Sequence, residues 1–212
     1  MSDASGDGAS TGAMRQVAAL YVELGGAYYG LPHVDPWDKA RDARLYAGPH
    51  PVVAHPPCNL WVNFAAVNWK RYGRQLPAWY PGGSDGGCFE HALTAVRDHG
   101  GVLEHPAFSH AWAHFGLSKP VGIGWQRCVN GGWVCEVWQS AYGHLANKAT
   151  WLYYFGDVAP LEMRWNRPVG QFQIGFQDQR GKAANKPTVS KRIASATPPA
   201  FRDVLIRLAG RS

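Results

Sequence analysis

Short apolar runs rich in valine and aromatic residues recur along the chain and predict buried strands. The first run, "QVAALYV" (16–22), ends at "ELGGAYYG", whose glycines predict a turn. A hairpin that turns at an Asn-Gly-Gly sequence is predicted over 124–139. Three further strands are predicted at "HPVVAH" (50–55), "GVLEHP" (101–106) and "ATWLYYFG" (149–156).

Between these runs the apolar residues are spaced as on helices. The clearest case is "CFEHALTAVRDHGG" (88–101), where Phe89, Leu93 and Val96 share one face and two glycines end the helix. Four other helices are predicted: 35–46 with Asp35 as its cap, 59–73, a short one from Ser109, and 198–210.

Strands that alternate with helices predict an α/β fold with a mostly parallel sheet flanked by helices. We expect residues 15–212 to form a single domain, preceded by a small, polar, disordered tail over 1–14. Within that domain, 166–197 is predicted to be a basic, irregular segment.

Two predicted strands each end in a reactive side chain followed or preceded by proline. "HPPC" places Cys58 after one strand, and "LEHP" places Glu104 at the end of another. Because active groups of parallel α/β folds lie at the carboxyl ends of strands, we expect these two side chains to meet. Free cysteine is often simply buried, so Cys58 alone would leave a core residue and a catalyst both open.

Composition adds weak constraints on partner and location. The chain has 212 residues, a formal charge of +6, 46% hydrophobic and 17% charged residues, and ten tryptophans. This is typical of a globular protein, and the positive charge modestly favours a polyanionic partner such as DNA. The sequence predicts neither a signal peptide nor a membrane span, and its four cysteines show no CxxC pair, so we expect a cytoplasmic protein with free thiols.

Taken in order, "HPPC", "GVLEHP" and "SAYGHLANKATWLYYFG" resemble motifs of the DNA (cytosine-5) methyltransferases. The resemblance covers roughly residues 50 to 155 plus "ATPPAFRDVLIRL", and similar stretches in short phage-encoded relatives imply a bacteriophage or prophage origin. It implies a Rossmann-like methyltransferase fold, DNA as partner, and modification of cytosine at C5. Cys58 would then be the nucleophile that attacks C6, and Glu104 would grip the base.

The same resemblance implies supporting residues around the base and the DNA. Asn147 and Lys148 stand approximately where the family has polar and basic positions, and His105 stands where asparagine is usual. Base or DNA contacts are also expected from residues that flank the two strand ends, namely His55, Pro57, Trp61 and Trp112. For each of these residues, simple packing in the core or exposure to solvent is the alternative. A basic group made up of Lys182, Lys186, Lys191 and Arg192 could likewise be a solvated loop or could bind phosphates.

The family cofactor, S-adenosylmethionine, is expected at Gly25, Gly26 and Asp35. The family's Phe-x-Gly-x-Gly sequence is missing there, and only about thirty residues separate this loop from Cys58, which predicts a truncated cofactor half. A different donor therefore remains open. A non-catalytic DNA-binding or anti-restriction protein is a second alternative. A metal-dependent hydrolase or deaminase is a third, because His110 and His114 are spaced to share one helix face. No metal site is predicted.

Addition to C6 of a pyrimidine requires a thiolate. We expect two influences to lower the pKa of Cys58: the start of the helix predicted from Asn59, and His55 nearby. Glu104 would hydrogen-bond N3 of the base and favour its protonation.

Overall fold

The strands that carry the predicted site lie in the middle of one mixed sheet. The computed structural model describes residues 15–62, 85–174 and 186–212. Within these ranges seven strands form the sheet: β1 (Val17–Leu20), β2 (Val34–Trp37), β3 (Val52–Ala54), β4 (Gly101–Pro106), β5 (Gln126–Arg127), β6 (Trp133–Trp138) and β7 (Ala149–Phe155). Their order is β2-β1-β3-β4-β7-β6-β5.

Parallel pairing holds one half of the sheet and antiparallel pairing the other. Strands β2, β1, β3 and β4 pair in parallel. β7 runs antiparallel to β4, β6 to β7, and β5 to β6. The expected α/β class is confirmed, but the sheet is mixed, with three parallel and three antiparallel pairs among the described strands. The strand order reverses between β1 and β3, the position where open α/β sheets form a crevice.

Helices cover both faces of the sheet. The described helices are α1 (Cys88–His99), α2 (His110–His114), α3 (Lys191–Ser195) and α4 (Pro199–Ala209), with 3₁₀ helices at Ala43–Leu45 and Gln139–Tyr142. Phe89 and Val96 of α1 pack on one face, while Phe201 and Leu205 of α4 pack on the other. Both helices were predicted, and their buried residues follow the helical spacing.

One predicted helix is wrong. Residues 34–37 form the edge strand β2, and only the 3₁₀ turn at 43–45 is helical in the segment 35–46. The cause is pairing with β1, which is stronger than the local helix signal of an Asp-Pro start. Pro36 is tolerated because β2 lies at the sheet edge.

Several other expectations fall wholly or partly outside the described residues. These are the tail over 1–14, most of the helix over 59–73, and the part of the basic segment at 175–185. The described part of that segment is less irregular than expected, because it contains α3 and the isolated bridges Ala146–Phe172 and Gln173–Thr188. No helix in the three described ranges has both the length and the apolar character needed to cross a bilayer.

Candidate active site

The alternation of side chains along neighbouring strands brings two of the predicted residues, Glu104 and His55, to one face of the sheet. On β4, Val102 packs with α4 and Leu103 with α1, so Glu104 points to the α4 face at the carboxyl end of the strand. On β3, Ala54 packs on the α1 side, which places the next residue, His55, on the same face as Glu104. His55, just after the end of β3, therefore meets Glu104 on β4.

Both carboxylate oxygens of Glu104 are engaged. His55 Nδ1 lies 2.9 Å from Oε2, and Gln139 Nε2 donates to Oε1 at 3.0 Å. Gln139 is fully buried and also donates to Thr150 Oγ1 at 3.0 Å, which fixes the amide. On the far side of the imidazole, Tyr28 Oη lies 2.8 Å from His55 Nε2. Because a carboxylate only accepts hydrogen bonds, the Nδ1 of His55 carries a hydrogen.

This network keeps Glu104 ionised. Burial raises the pKa of the carboxyl, but the hydrogen bond from His55 and the charge of Lys148 outweigh burial and bring the pKa to about 2. At neutral pH the group is therefore a carboxylate with free lone pairs, which accepts hydrogen bonds but has no proton to donate.

Cys58 lies half-buried in the turn that follows β3, where Trp61 N donates to its carbonyl oxygen at 2.9 Å. The expected lowering of its pKa is wrong: burial and the charge of Glu104 raise the pKa of the thiol above its ordinary value. Lys148 and Lys191 act in the opposite direction without overcoming these two effects. The described residues after Cys58 form a turn, so no helix start at Asn59 favours the thiolate there.

The antiparallel direction of β7 explains why the third motif reaches the site. Because Pro106 pairs with Thr150, the beginning of β7 lies beside the end of β4. Lys148, just before β7, is close enough to lower the pKa of Glu104, and its Nζ donates to Ala196 O at 3.2 Å. The side chain of Asn147 is instead hydrogen-bonded within the protein, because its Oδ1 accepts from Gly170 N at 2.5 Å.

Three of the expected base contacts are core residues. Trp61 is 2% exposed and donates Nε1 to Asp85 Oδ2 at 2.9 Å, and Trp112 is fully buried. His105 is also fully buried, on the α1 face, between Phe89 and Trp112. Neither face of these rings is offered to a base, so these expectations are wrong. Pro57 remains exposed at the strand end.

A cleft of about 370 Å³ includes two of the expected cofactor residues and touches the site only through Ala196, whose carbonyl oxygen accepts from Lys148 Nζ. It lies between the loop after β1 and α3, and its lining is Glu23, Leu24, Gly25, Gly26, Arg192, Ile193 and Ala196. Asp35 does not line it. Its carboxylate accepts from Trp37 Nε1 at 2.7 Å and pairs with Arg41, and a cofactor role of Asp35 stays a prediction.

Comparison of the chain with protein-family models finds no matching family, and comparison with curated proteins finds no matching protein.

The other predicted residues are placed as follows. Lys186 Nζ donates to Gly170 O at 2.9 Å, and Lys191 and Arg192 are exposed on α3, whereas Lys182 lies outside the described residues. In the described parts of the chain, no three His, Cys, Asp or Glu side chains are grouped as metal ligands would be.

Sequence reasoning missed Tyr28, Gln139 and Thr150, which complete the network. A signal for Gln139 existed, because it continues the alternation of Cys135 and Val137 on the α4 face. Thr150 follows the same rule on β7, beside Leu152. Tyr28 sits in the loop after β1, where no periodicity indicates the direction of a side chain.

The arrangement combines a thiol, an ionised carboxylate and a lysine charge at the carboxyl edge of the sheet. A thiol there can act as a nucleophile if ligand binding lowers its pKa, and the carboxylate can accept from a polar ligand edge.

Proposed function

We propose that the chain is a DNA-modifying enzyme with a Rossmann-like methyltransferase fold and a shortened cofactor half. It acts at C5 of a pyrimidine, most readily cytosine, through a covalent bond between Cys58 and C6. The observation that carries the proposal is the shared position of the Cys58 turn and the buried carboxylate of Glu104 at the ends of β3 and β4. The default reaction is methyl transfer from S-adenosylmethionine.

The first step consumes the proton of the Cys58 thiol and forms one bond. The sulfur bonds to C6, the C5=C6 π pair moves towards C4, and the C4=N3 pair passes to N3, which gains a proton. C5 is then the nucleophilic carbon of an enamine and can take an electrophilic one-carbon group. Loss of the C5 proton and departure of the sulfur restore the ring and the thiol.

An ionised Glu104 fits the intermediate better than it fits the free base. Cytosine offers a donor at N4 and an acceptor at N3, and protonation during attack turns N3 into a second donor. Two donors side by side match the two oxygens of a carboxylate, which is the preference for the transition state that catalysis requires. Lys148 supplies a positive charge beside both Glu104 and Cys58.

The lining of the cleft suits S-adenosylmethionine in its chemistry. Glu23 can pair with the ammonium group, Arg192 with the carboxylate, and Leu24 and Ile193 with apolar parts of the molecule. The volume of about 370 Å³ lies at the small end of ordinary ligand sites. When bound, the cofactor supplies an electrophilic methyl group, and Gly25 and Gly26 let the backbone approach it.

Hydrogen exchange at C5 tests the proposal without any donor. In D₂O the enamine takes a deuteron at C5, and elimination returns deuterated cytosine to the DNA. We expect the wild type to deuterate cytosine in mixed-sequence DNA, as measured by nucleoside mass spectrometry. Cys58→Ser should lose this activity, and Glu104→Gln should lower it about 100-fold or more. If the wild type binds DNA but exchanges no C5 hydrogen, the enzymatic proposal is wrong.

The raised pKa of Cys58 favours a second candidate, a DNA-binding protein that keeps the shell of such an enzyme without its activity. The exchange measurement separates the two, because that protein would bind DNA and leave every C5 hydrogen in place. Titration calorimetry with S-adenosylmethionine then separates the default donor from another one, since a flat titration with an exchange-active protein would require a different donor.

A further inference from the structure

Phe108 is an exposed aromatic residue on unfavourable backbone in the turn that follows β4. It lies four positions after Glu104, its φ is 64°, and 63% of its surface is exposed. A bulky residue with a left-handed backbone is an outlier that persists only where its surroundings impose it. Burial does not explain it, because the ring lies mainly in solvent.

Hydrogen bonds on both sides fix the turn that carries Phe108. Ala107 N donates to Ala149 O at 3.0 Å, which ties the turn to the beginning of β7. Two residues after Phe108, His110 N donates to Trp61 O at 2.8 Å. Trp61 is the last residue of the turn that begins at Cys58. The turn is thus bonded to both segments that flank the site.

A rigid aromatic layer supports the ring from behind. The ring of Phe108 lies 5.3 Å from that of Trp151, which is 2% exposed. Trp151 donates Nε1 to Glu136 Oε2 at 3.0 Å and packs against the buried Trp112 at 5.7 Å. The ring of Phe108 is therefore supported on its inner side by side chains that are held in place.

We propose that Phe108 is an apolar wedge that enters the base stack of duplex DNA when the target base turns out towards Cys58 and Glu104. The inference rests on the proposed function. A base can reach the site only by leaving the duplex, and apolar side chains such as phenylalanine are known to unstack base steps by insertion. The strained, braced and exposed ring meets the requirements for that role, because it is held outward before DNA arrives.

The test compares duplex with single-stranded DNA of the same sequence, since single strands need no wedge. Phe108→Ala should lower C5 exchange on the duplex about 10-fold or more and leave the rate on single strands within about threefold. Phe108→Leu, which keeps an apolar side chain, should retain most of the duplex rate. Val129→Ala, at an exposed apolar position in the β5–β6 turn, is the matched control and should change neither rate.

Phe108→Asn guards against a simple folding defect. Asparagine tolerates a left-handed backbone, so this variant should unfold at or above the wild-type temperature and still lose the duplex rate. If Phe108→Ala or Phe108→Asn lowers both rates equally, or lowers neither, the wedge is overturned while the proposed function stands. If the wild type exchanges no C5 hydrogen on either substrate, the proposed function fails instead.

Discussion

His55 and Gln139 hold the two oxygens of Glu104, and the hydrogen bond from His55 is the largest effect that lowers the pKa of this carboxyl. Each donates to a different carboxylate oxygen, and the side chains of both His55 and Glu104 are nearly out of solvent, at 13% and 10% exposed. Burial by itself would raise the pKa of Glu104. The hydrogen bond from His55, together with the charge of Lys148, keeps it a carboxylate, which is the form that matches an N3-protonated cytosine.

Replacement of His55 by leucine should therefore raise the pKa of Glu104 from about 2, because burial remains while the strongest opposing hydrogen bond is lost. Carboxyl ¹³C NMR of glutamate-labelled protein measures this shift, with the resonance assigned from Glu104→Gln. His55→Asn keeps an N–H donor and is the control with a smaller shift. An unchanged titration in His55→Leu would contradict this role of His55.

His105 gives the fold a specific sensitivity to acid. It is fully buried, and burial lowers its pKa from 6.5 to about 4, although the charge of Glu104 and a hydrogen bond to the backbone of Pro57 act in the opposite direction. Below pH 6.5 the unfolded chain binds a proton that the folded chain refuses until about pH 4, so stability falls as the pH falls through this window.

In His105→Phe the free energy of unfolding should lose that dependence, a difference on the order of 3 kcal/mol by pH 4. At pH 7 the variant should differ little in stability from the wild type, because His105 is mostly neutral there in both the folded and the unfolded chain. Urea denaturation between pH 7 and 4 measures both. The control His110→Gln removes a histidine from α2 and should keep the wild-type slope. An equal slope in His105→Phe would show that the destabilising proton binds elsewhere.

At the scale of elements, the direction of β7 matters most for the site. A parallel β7 would place Lys148 at the opposite edge of the sheet from Glu104, whereas the antiparallel strand begins beside it. Lys148 also donates to Ala196 O, just past the end of α3, and α3 lines the cleft. The side chain of Lys148 therefore contacts the cleft wall at Ala196 and also supplies positive charge near Glu104.

Lys148→Met should make the Cys58 thiol harder to ionise, because it removes the larger of the two lysine charges that oppose the effect of burial and Glu104. The rate of alkylation of Cys58 by iodoacetamide, followed by peptide mass spectrometry across pH, should fall severalfold near pH 8 and recover at higher pH. Lys186→Met removes another lysine that donates to a backbone carbonyl and should leave the profile unchanged. A superimposable profile for Lys148→Met would refute this electrostatic role.

The spacing of apolar residues predicted the helices whose faces pack against the sheet. It did not predict the strand whose structure depends on pairing with a neighbouring strand. The buried faces of α1 and α4 follow directly from their apolar spacing. The strand β2 could not be predicted from "VDPW", because its conformation depends on hydrogen bonds to β1 rather than on its own residues. Similarly, alternation assigns His105 to a face, but only the position of α1 makes that face a core.

At the scale of the whole molecule, the placement of the Cys58 turn and of Glu104 at the carboxyl ends of β3 and β4 was predictable, because parallel strands end at the same edge of a sheet. The residues that complete the hydrogen-bond network around Glu104 could not be predicted. Tyr28 reaches His55 from a loop after β1, and Gln139 reaches Glu104 from the end of β6, two strands away in the sheet. Such contacts depend on strand order, which local sequence does not encode. For the same reason the sequence overestimated the reactivity of Cys58, whose surroundings are set by burial and by Glu104.

The most direct test of the central claim is a covalent adduct on duplex DNA that carries 5-azacytosine. In this base a nitrogen replaces C5, so addition of a thiolate at C6 is completed by a proton at N5 and needs no donor. Peptide mass spectrometry of the digested complex should find the nucleotide on Cys58 in the wild type and no adduct in Cys58→Ser. Bound DNA without an adduct, or an adduct on Cys88, Cys128 or Cys135 instead, would contradict the account.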